Sequence, residues 1–587
     1  MGNNQNLILA VVLSLGVLFG FHYFYDAPRA EAIRQQQLAA QLAAPKPVPT
    51  LDAPAATATK PAIKQSRAEI IAAGFAAGQR LRIDTPRLHG SLNLMGGRID
   101  DLTLADYHTA PELDSPEVVL LSPSGTADPD HAYYAETGWI YGAEEQDLEL
   151  PDDESVWKAD RDVIAKDQPV TLSWTNPAGV VFQRVITLDD NFMFTIENRV
   201  VNSTAAPVVL SSFSLVSRHA VPPQHSIYIL HEGPLGVFNG TLKELKYDEL
   251  IEDRRVEEKT TSGGWLGMTD KYWLVALVPD QAQPMAARFN AMTTDGNRFQ
   301  ADALGPAQTV APGATLSQTT RLFAGAKEVK LLEHYQDKYQ IRNFDLAVDF
   351  GWFYFLTKPY FHVLDTFAVW LKQTGYGFGF AILIFTVLLK LAFFPLQSKS
   401  YKSMNRMKEV QPRMAELRER WASDKQRLNM EMIDLYRREK INPMSGCWPV
   451  LIQIPIFFAL YKVLYVTIEM RHAPFPGWIR DLAAPDPTSV FNLFGLIPWD
   501  VPHFLLIGIW PILMGVTMAL QQRLSPPPGD PIQQTMFRWL PVFFTVLMAQ
   551  FPAGLVIYWT WSNSLGILQQ LYLKRKPKVD ATGTVSV

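Results

Sequence analysis

The chain has one cysteine, Cys447, in 587 residues. That excludes an intrachain disulfide and any metal site built from clustered cysteines, and a lone thiol of this kind packs as a small hydrophobe. Net charge is also low, -5 at pH 7, which argues against a general nucleic-acid binder. The six residues before Leu7 contain no Lys or Arg, whereas a secretory signal peptide carries a basic start. Sharp metal or nucleophile spacings are missing throughout. Mean hydropathy near zero averages two unlike parts. Residues 27–342 read as water-soluble, and most of 375–573 runs in long apolar blocks.

The first apolar run extends from Leu7 to Phe21, and to Tyr25 if His22 is tolerated. At about 1.5 Å per residue it comes close to crossing a hydrocarbon core of about 30 Å. Residues 1–26 are therefore expected to be an uncleaved anchor. A cleaved signal peptide ending near Ala30-Glu31-Ala32 is the rival reading. Five further spans are expected at 375–396, 445–467, 503–522, 534–551 and 553–573. The last two are joined by the tight turn Phe551-Pro552-Ala553-Gly554. Eighteen Lys and Arg lie in 397–441, 523–538 and the tail, against two, Arg471 and Arg480, in 468–502. The positive-inside rule then puts the first three segments and both termini in the cytoplasm. Residues 27–374 fall mostly on the exported side; a long domain crosses regardless of its charge.

Residues 27–66, rich in Ala, Pro and Gln, read as a disordered tether. Residues 67–342 carry short β-type runs such as 170–174, 180–186, 192–201 and 208–216, divided by turn signals, and predict an antiparallel β-sandwich. His219, His225, His231 and Glu232 lie close in sequence and are candidates for acid–base chemistry; polar loop residues on a sandwich are the alternative. Residues 343–374 are aromatic but broken by Asp349, Lys358 and Pro359, which predicts an amphipathic helix lying in the outer interface. Segment 397–441 predicts a charged helical hairpin, its second helix opened by a capping box at Ser423 and Gln426. The hairpin is either a plain solvated surface or a docking site for an anionic or protein partner. A basic tail, 574–587, closes the chain.

One polar group stands out. Lys390 lies mid-span, where a lysine costs about 2.5–3.5 kcal/mol. Eleven strong hydrophobes between Ile382 and Leu396 offset it with roughly 3–7 kcal/mol. Thr386 is one turn back on the same face, Gln453 lies in the next span, and Ser562 and Asn563 lie in the last. Polar groups in lipid need partners or water, so these faces are expected to converge on a hydrated groove walled by Phe457, Tyr558 and Trp559. Snorkelling of Lys390 toward the headgroups is the alternative.

Several segments resemble the YidC/Oxa/Alb insertase family in order and spacing: ERWASDKQRLNMEMIDLYRREKINPMSGCWPVLIQIPIFFALYKVL at 419–464, PILMGVTMALQQRLSP at 511–526 and FPAGLVIYWTWSNSLGILQQ at 551–570. The block GGWLGMTDKYWLVALVP at 263–279 and the large exported domain resemble its Gram-negative branch. The resemblance implies a six-helix polytopic protein of the bacterial inner membrane, with a periplasmic β-sandwich of mutarotase type in fold only. It implies an insertase core over 375–573 and a groove cation at the position of Lys390. Function would be insertion and folding of nascent membrane proteins, alone or with the Sec translocon, with no enzyme chemistry, nucleotide, metal or other cofactor. Ribosome and targeting receptor are further partners implied for the basic hairpin, with membrane lipid and no specific nucleic-acid site. Lys390 departs from the arginine common in the family, and Tyr558-Trp559 from its Tyr-Tyr pair. A solute transporter and a membrane-tethered carbohydrate enzyme are the competing functions.

Overall fold

The structure, a computed structural model, describes residues 65–587 apart from 113, 128–130, 143–147, 223–229, 261–262, 294–296, 440–447, 496, 498–500, 503–505, 526–530, 576–577, 580–584 and 587. The expected anchor, most of the expected tether, His225 and Cys447 lie outside the described residues.

Alternation of apolar and polar residues builds the region expected to be a β-sandwich. Along Val181–Leu188 every second residue is buried, as a strand with one face on a core requires. The predicted β-runs are found as Val170–Thr175, Val181–Leu188, Met193–Val201 and Val208–His219. Two sheets form. In one, Val208–His219 lies between Tyr133–Tyr141 and Arg298–Leu304. In the other, Thr315–Ala326 lies between Met193–Val201 and Trp273–Val278. Pairing is antiparallel except where Arg80–Asp84 runs parallel to Val163–Ile164. Phe182, Phe194, Trp265 and Phe323 are fully buried in the core.

The described helices are α1 (Arg67–Ala76), α2 (Tyr247–Asp253), α3 (Val329–Tyr339), α4 (Tyr354–Trp370), α5 (Gly377–Arg420), α6 (Lys425–Arg438), α7 (Trp448–Val466), α8 (Ile509–Leu524), α9 (Pro531–Met548) and α10 (Ala553–Arg575). Segment 377–407 of α5 is long and apolar enough to cross a membrane by itself.

Three expectations shift. The interfacial helix does not start near Phe344. Asn343 and Gly351 have φ of 54° and 69°, which breaks helical continuity. Between them a 3-10 turn, Phe344–Ala347, sinks Phe344 against Trp265 and Phe323. The helix proper is α4, flanked by Trp352 and carrying Phe355 and Trp370, all exposed. Second, α6 is capped by Asp424, whose carboxylate accepts from the Arg427 amide at 3.0 Å, and not by Ser423. Asp424 is the residue with extended backbone next to the first helical turn, which is where a cap must sit. Third, the span expected at 503–522 starts at Ile509. Its 16 residues reach about 24 Å, against the roughly 30 Å of a typical hydrocarbon core.

Segment Lys402–Gly446 belongs to a different compact unit from Leu51–Tyr401 and Cys447–Val587. Within it, Val410 and Met414 of α5 pack against Met432, Leu435 and Tyr436 of α6, so the two helices form a hairpin. The Arg427 guanidinium lies 4.1 Å from the Trp421 ring centre at the turn.

In the larger unit the sandwich is docked onto the helical region. Lys462 of α7 meets Asp349 at 2.8 Å. Just after α7, Glu469 Oε1 accepts from the Val329 amide at 3.0 Å, capping α3 from a remote part of the chain. The adjacent Glu328 makes no side-chain cap there. Arg471 donates to the His108 carbonyl, and the Lys271 ammonium lies 3.8 Å from the Tyr465 ring centre. The start of α8 is held in a similar way. Asp486 Oδ2 accepts from the Trp510 amide at 2.9 Å, and Thr488 Oγ1 accepts from the Ile509 amide at 3.0 Å.

Candidate functional site

A narrow groove, with about 20 Å³ of room for the centres of water molecules, lies among α5, α7 and α10. Helix α5 supplies Thr386, Leu389, Lys390, Phe393, Leu396 and Gln397; α7 supplies Gln453 and Ile456; α10 supplies Tyr558 and Ser562. Residues three, four and seven apart share one face of a helix, so each set is a single stripe turned to the same space. The groove thus joins five predicted residues, Thr386, Lys390, Gln453, Tyr558 and Ser562, that are separated by up to 176 positions in sequence.

Gln453 Nε2 donates to the Tyr558 hydroxyl at 2.7 Å, which cross-links α7 to α10 at the groove wall. The Thr386 hydroxyl donates to its own helix at the Ile382 carbonyl, 2.6 Å away, so it adds little polarity to the space. Among the described residues the Lys390 ammonium has no hydrogen-bond or ionic partner, and Gln397 Oε1 is likewise unsatisfied. An unpaired cation in an apolar setting favours water or a mobile anionic group beside it. At the other end of the groove Gln569 Nε2 reaches Ser398 Oγ at 3.3 Å and fixes α10 to α5. Pro395 and Pro455 sit inside α5 and α7, and each removes a ladder hydrogen bond.

The other predicted residues lie elsewhere. Phe457 and Trp559 lie 5.0 Å apart with their rings tilted at 59°, and Phe544 lies 5.2 Å from Trp559, in an aromatic cluster beside the groove. Asn563 Nδ2 approaches Thr517 Oγ1 of α8 at 3.4 Å, so it faces a neighbouring helix. Leu389, Phe393, Leu396 and Ile456 were not singled out from sequence, because an apolar residue facing a groove reads like one facing lipid. Gln397 fell one residue past the expected span.

The candidate acid–base cluster is not assembled. His219 ends a strand of one sheet, while His231 and Glu232 precede a strand of the other. Burial and the nearby Arg298 push the His219 imidazole down to about 4, and burial lowers that of His231. Glu232 accepts from the Lys271 amide at 3.0 Å. His231 and Glu232 thus have structural partners, whereas His219 Nε2 is buried without one, on the other sheet.

Residues 80–363 match the family model described as the YidC periplasmic domain, and residues 370–580 match that described as the 60Kd inner membrane protein. Proteins named membrane protein insertase YidC are similar over nearly the whole chain. That of Beijerinckia indica subsp. indica is 49% identical, covering 98% of this chain and 96% of its own. That of Brucella suis biovar 1 is 46% identical, covering 99% and 97%, and that of Rickettsia bellii is 46% identical, covering 98% and 100%. The chain belongs to the YidC family. A solved structure titled an active YidC insertase with its first transmembrane domain resolved matches 85% of the chain at 16% identity, with a TM-score of 0.33. The two YidC family matches meet between residues 363 and 370, which is within the last two turns of α4. Every groove residue of this YidC-family chain falls in the second match, and the sandwich falls in the first.

Proposed function

We propose that the chain is a membrane protein insertase of the bacterial inner membrane, working through the groove around Lys390. The observation that carries this is the convergence of Lys390, Gln453, Tyr558 and Ser562 on one open space between helices that are otherwise apolar. A short polar or acidic client tail would enter this space and meet the unpaired ammonium. It would be spared part of the hydrocarbon crossing, and the client's apolar segment would slide into lipid beside α7 and α10. The step is a lowering of a solvation barrier, with no covalent chemistry. The short α8 supports the same reading, since a helix of about 24 Å favours a locally thinned bilayer. Nascent membrane proteins are the clients. The Sec translocon is the proposed co-worker, and the basic hairpin α5–α6 is the proposed contact for ribosome and targeting receptor. Depletion tests the function. Newly made single-span proteins with short exported tails should accumulate on the cytoplasmic side before any solute defect. A solute defect appearing first would point to a transporter.

The topology proposed with it has six spans: an anchor within 1–26, the first part of α5, and α7, α8, α9 and α10. Both termini and the α5–α6 hairpin are cytoplasmic, and 27–374 are mostly periplasmic. The test replaces Cys447 by Ser and introduces single cysteines at the exposed positions Met430, Lys574 and Ser203. Met430→Cys and Lys574→Cys should react with an impermeant maleimide only from the cytoplasmic side, and Ser203→Cys only from the exported side. A hairpin that labels from outside would overturn the arrangement.

A further inference from the structure

Between α7 and α8 the chain makes a closed loop whose tip is apolar and charge-free. Phe491, Leu493, Phe494 and Ile497 are each 43–52% exposed. Among the described residues from 65 to 342, large exposed hydrophobics are limited to Phe75, Val156 and Val163, which are scattered along the sequence. Four unburied apolar side chains within seven residues are therefore unusual for the exported surface of this chain, and such a patch marks an interaction site.

The backbone of the tip closes on itself. The Val490 amide donates to the Ile507 carbonyl at 3.2 Å and pins the base of the loop. Above it the Leu493 amide bonds to Val490 O, the Phe494 amide to Ser489 O at 2.8 Å and the Ile497 amide to Asn492 O at 3.0 Å. The Phe491 amide bonds to Ser489 Oγ at 3.3 Å. Amides already paired inside the loop lose little on leaving water, whereas an unpaired amide would resist an apolar medium. Leu493 and Phe494 hold φ of 48° and 60°, which turns both side chains outward at some conformational cost.

The surroundings identify that medium. The loop is rooted at the first turn of α8, where Phe475, Trp478 and Trp510 cluster, with ring centres 5.5 and 6.4 Å from Trp510. Tryptophan prefers the headgroup level, so the root of the loop lies at the membrane surface. Leu513 and Val516, in the first half of α8, are exposed as well. Exposed apolar side chains are thus found both on α8 and at the tip of the loop.

We propose that residues 489–495 and Ile497 form a wedge that rests Phe491, Leu493, Phe494 and Ile497 in the exported leaflet, at the boundary between headgroups and acyl chains. The occupant of this patch is lipid. The proposal rests on the multi-pass topology above. It adds a function to a segment that neither the groove nor the sandwich uses: the wedge sets the depth of the exported end of α8.

The test uses the full chain with Cys447→Ser and single cysteines carrying the fluorophore NBD, reconstituted into phosphatidylcholine vesicles with lipids brominated near the headgroup end of the acyl chains. Three positions are compared: Phe494→Cys in the wedge, Val542→Cys on the exposed side of α9, and Val156→Cys on the sandwich. NBD at 494 should emit to the blue of that at 156 and lose about half its intensity to the bromines, as an interfacial group does. NBD at 542 should also be quenched, and that at 156 should not. Quenching at 542 with none at 494 overturns the wedge and leaves the topology standing; a blue-shifted but unquenched 494 would then indicate a protein contact, a second copy included. Loss of quenching at both 494 and 542 overturns the topology and the wedge together.

Discussion

Lys390→Glu is expected to slow insertion of clients with short acidic exported tails by at least roughly tenfold, and Lys390→Ala by somewhat less, while Lys390→Arg stays near the parent rate. The reasoning starts from the unpaired ammonium in the groove. At an effective dielectric of about 20, two unit charges 4 Å apart attract by about 4 kcal/mol. Desolvation of the client carboxylate takes back much of that. If about 1.4 kcal/mol survives at the transition state, the rate changes tenfold. Reversing the charge turns the attraction into repulsion, so Glu should be worse than Ala. Clients with uncharged tails should respond least. The measurement is protease protection of newly made clients in vesicles, with photo-crosslinkers at Gln453 and Tyr558 to trap a stalled segment. Normal insertion of every client by Lys390→Ala, with no crosslink formed, would favour snorkelling over a groove cation.

Alkaline pH should loosen the joint between sandwich and helical region, and Glu469→Gln should suppress the effect. Glu469 lies beyond the end of α7, half-buried, with Oε1 on the Val329 amide and Oε2 buried without a partner. Burial above all, with the nearby Glu328 and Asp365 and against the lowering hydrogen bond from Val329, raises its carboxyl from 4.5 to about 8. The charged groups facing it are themselves engaged: Arg87 with Glu328 and Asp106, the Tyr107 hydroxyl with Glu328, and Lys330 with Asp365. A carboxyl whose folded value is raised binds its proton more tightly in the native state. Its contribution to stability is then fully present below about pH 4.5 and is lost as pH rises through about 8. The change is on the order of a few kcal/mol over that window, or about 2–4 °C in Tm for a chain of this size. Thermal unfolding of the purified full chain between pH 5 and 9 would measure it. Parent and Glu469→Gln curves of equal slope would show that Glu469 does not titrate in the joint.

How much of this was legible in the sequence follows from what each signal depends on. Strands such as Val181–Leu188 were visible because alternation depends only on local pattern. Lys390, Gln453 and Ser562 were visible because polar groups are expensive inside apolar spans, and all three line the groove. Asn563 obeys the same rule yet faces Thr517, because the rotation of a helix about its axis is set by packing, which the sequence does not show. The docking of Glu469 on α3 was invisible for another reason: its partner is a backbone amide 140 residues away, and a backbone group carries no sequence signature. The start of α8 was misplaced because the apolar run 503–508 continues the helical pattern, while the cap that fixes the boundary comes from Asp486 and Thr488 upstream.

That remote cap also governs how the start of α8 exchanges hydrogen with solvent. The Ile509 and Trp510 amides are held by Thr488 and Asp486, so they are released when the 486–508 loop opens and not when the helix frays. Their deuterium uptake should therefore rise and fall together with that of Val490, whose amide closes the same loop on Ile507. Amides deeper in α8 should keep a slower rate of their own.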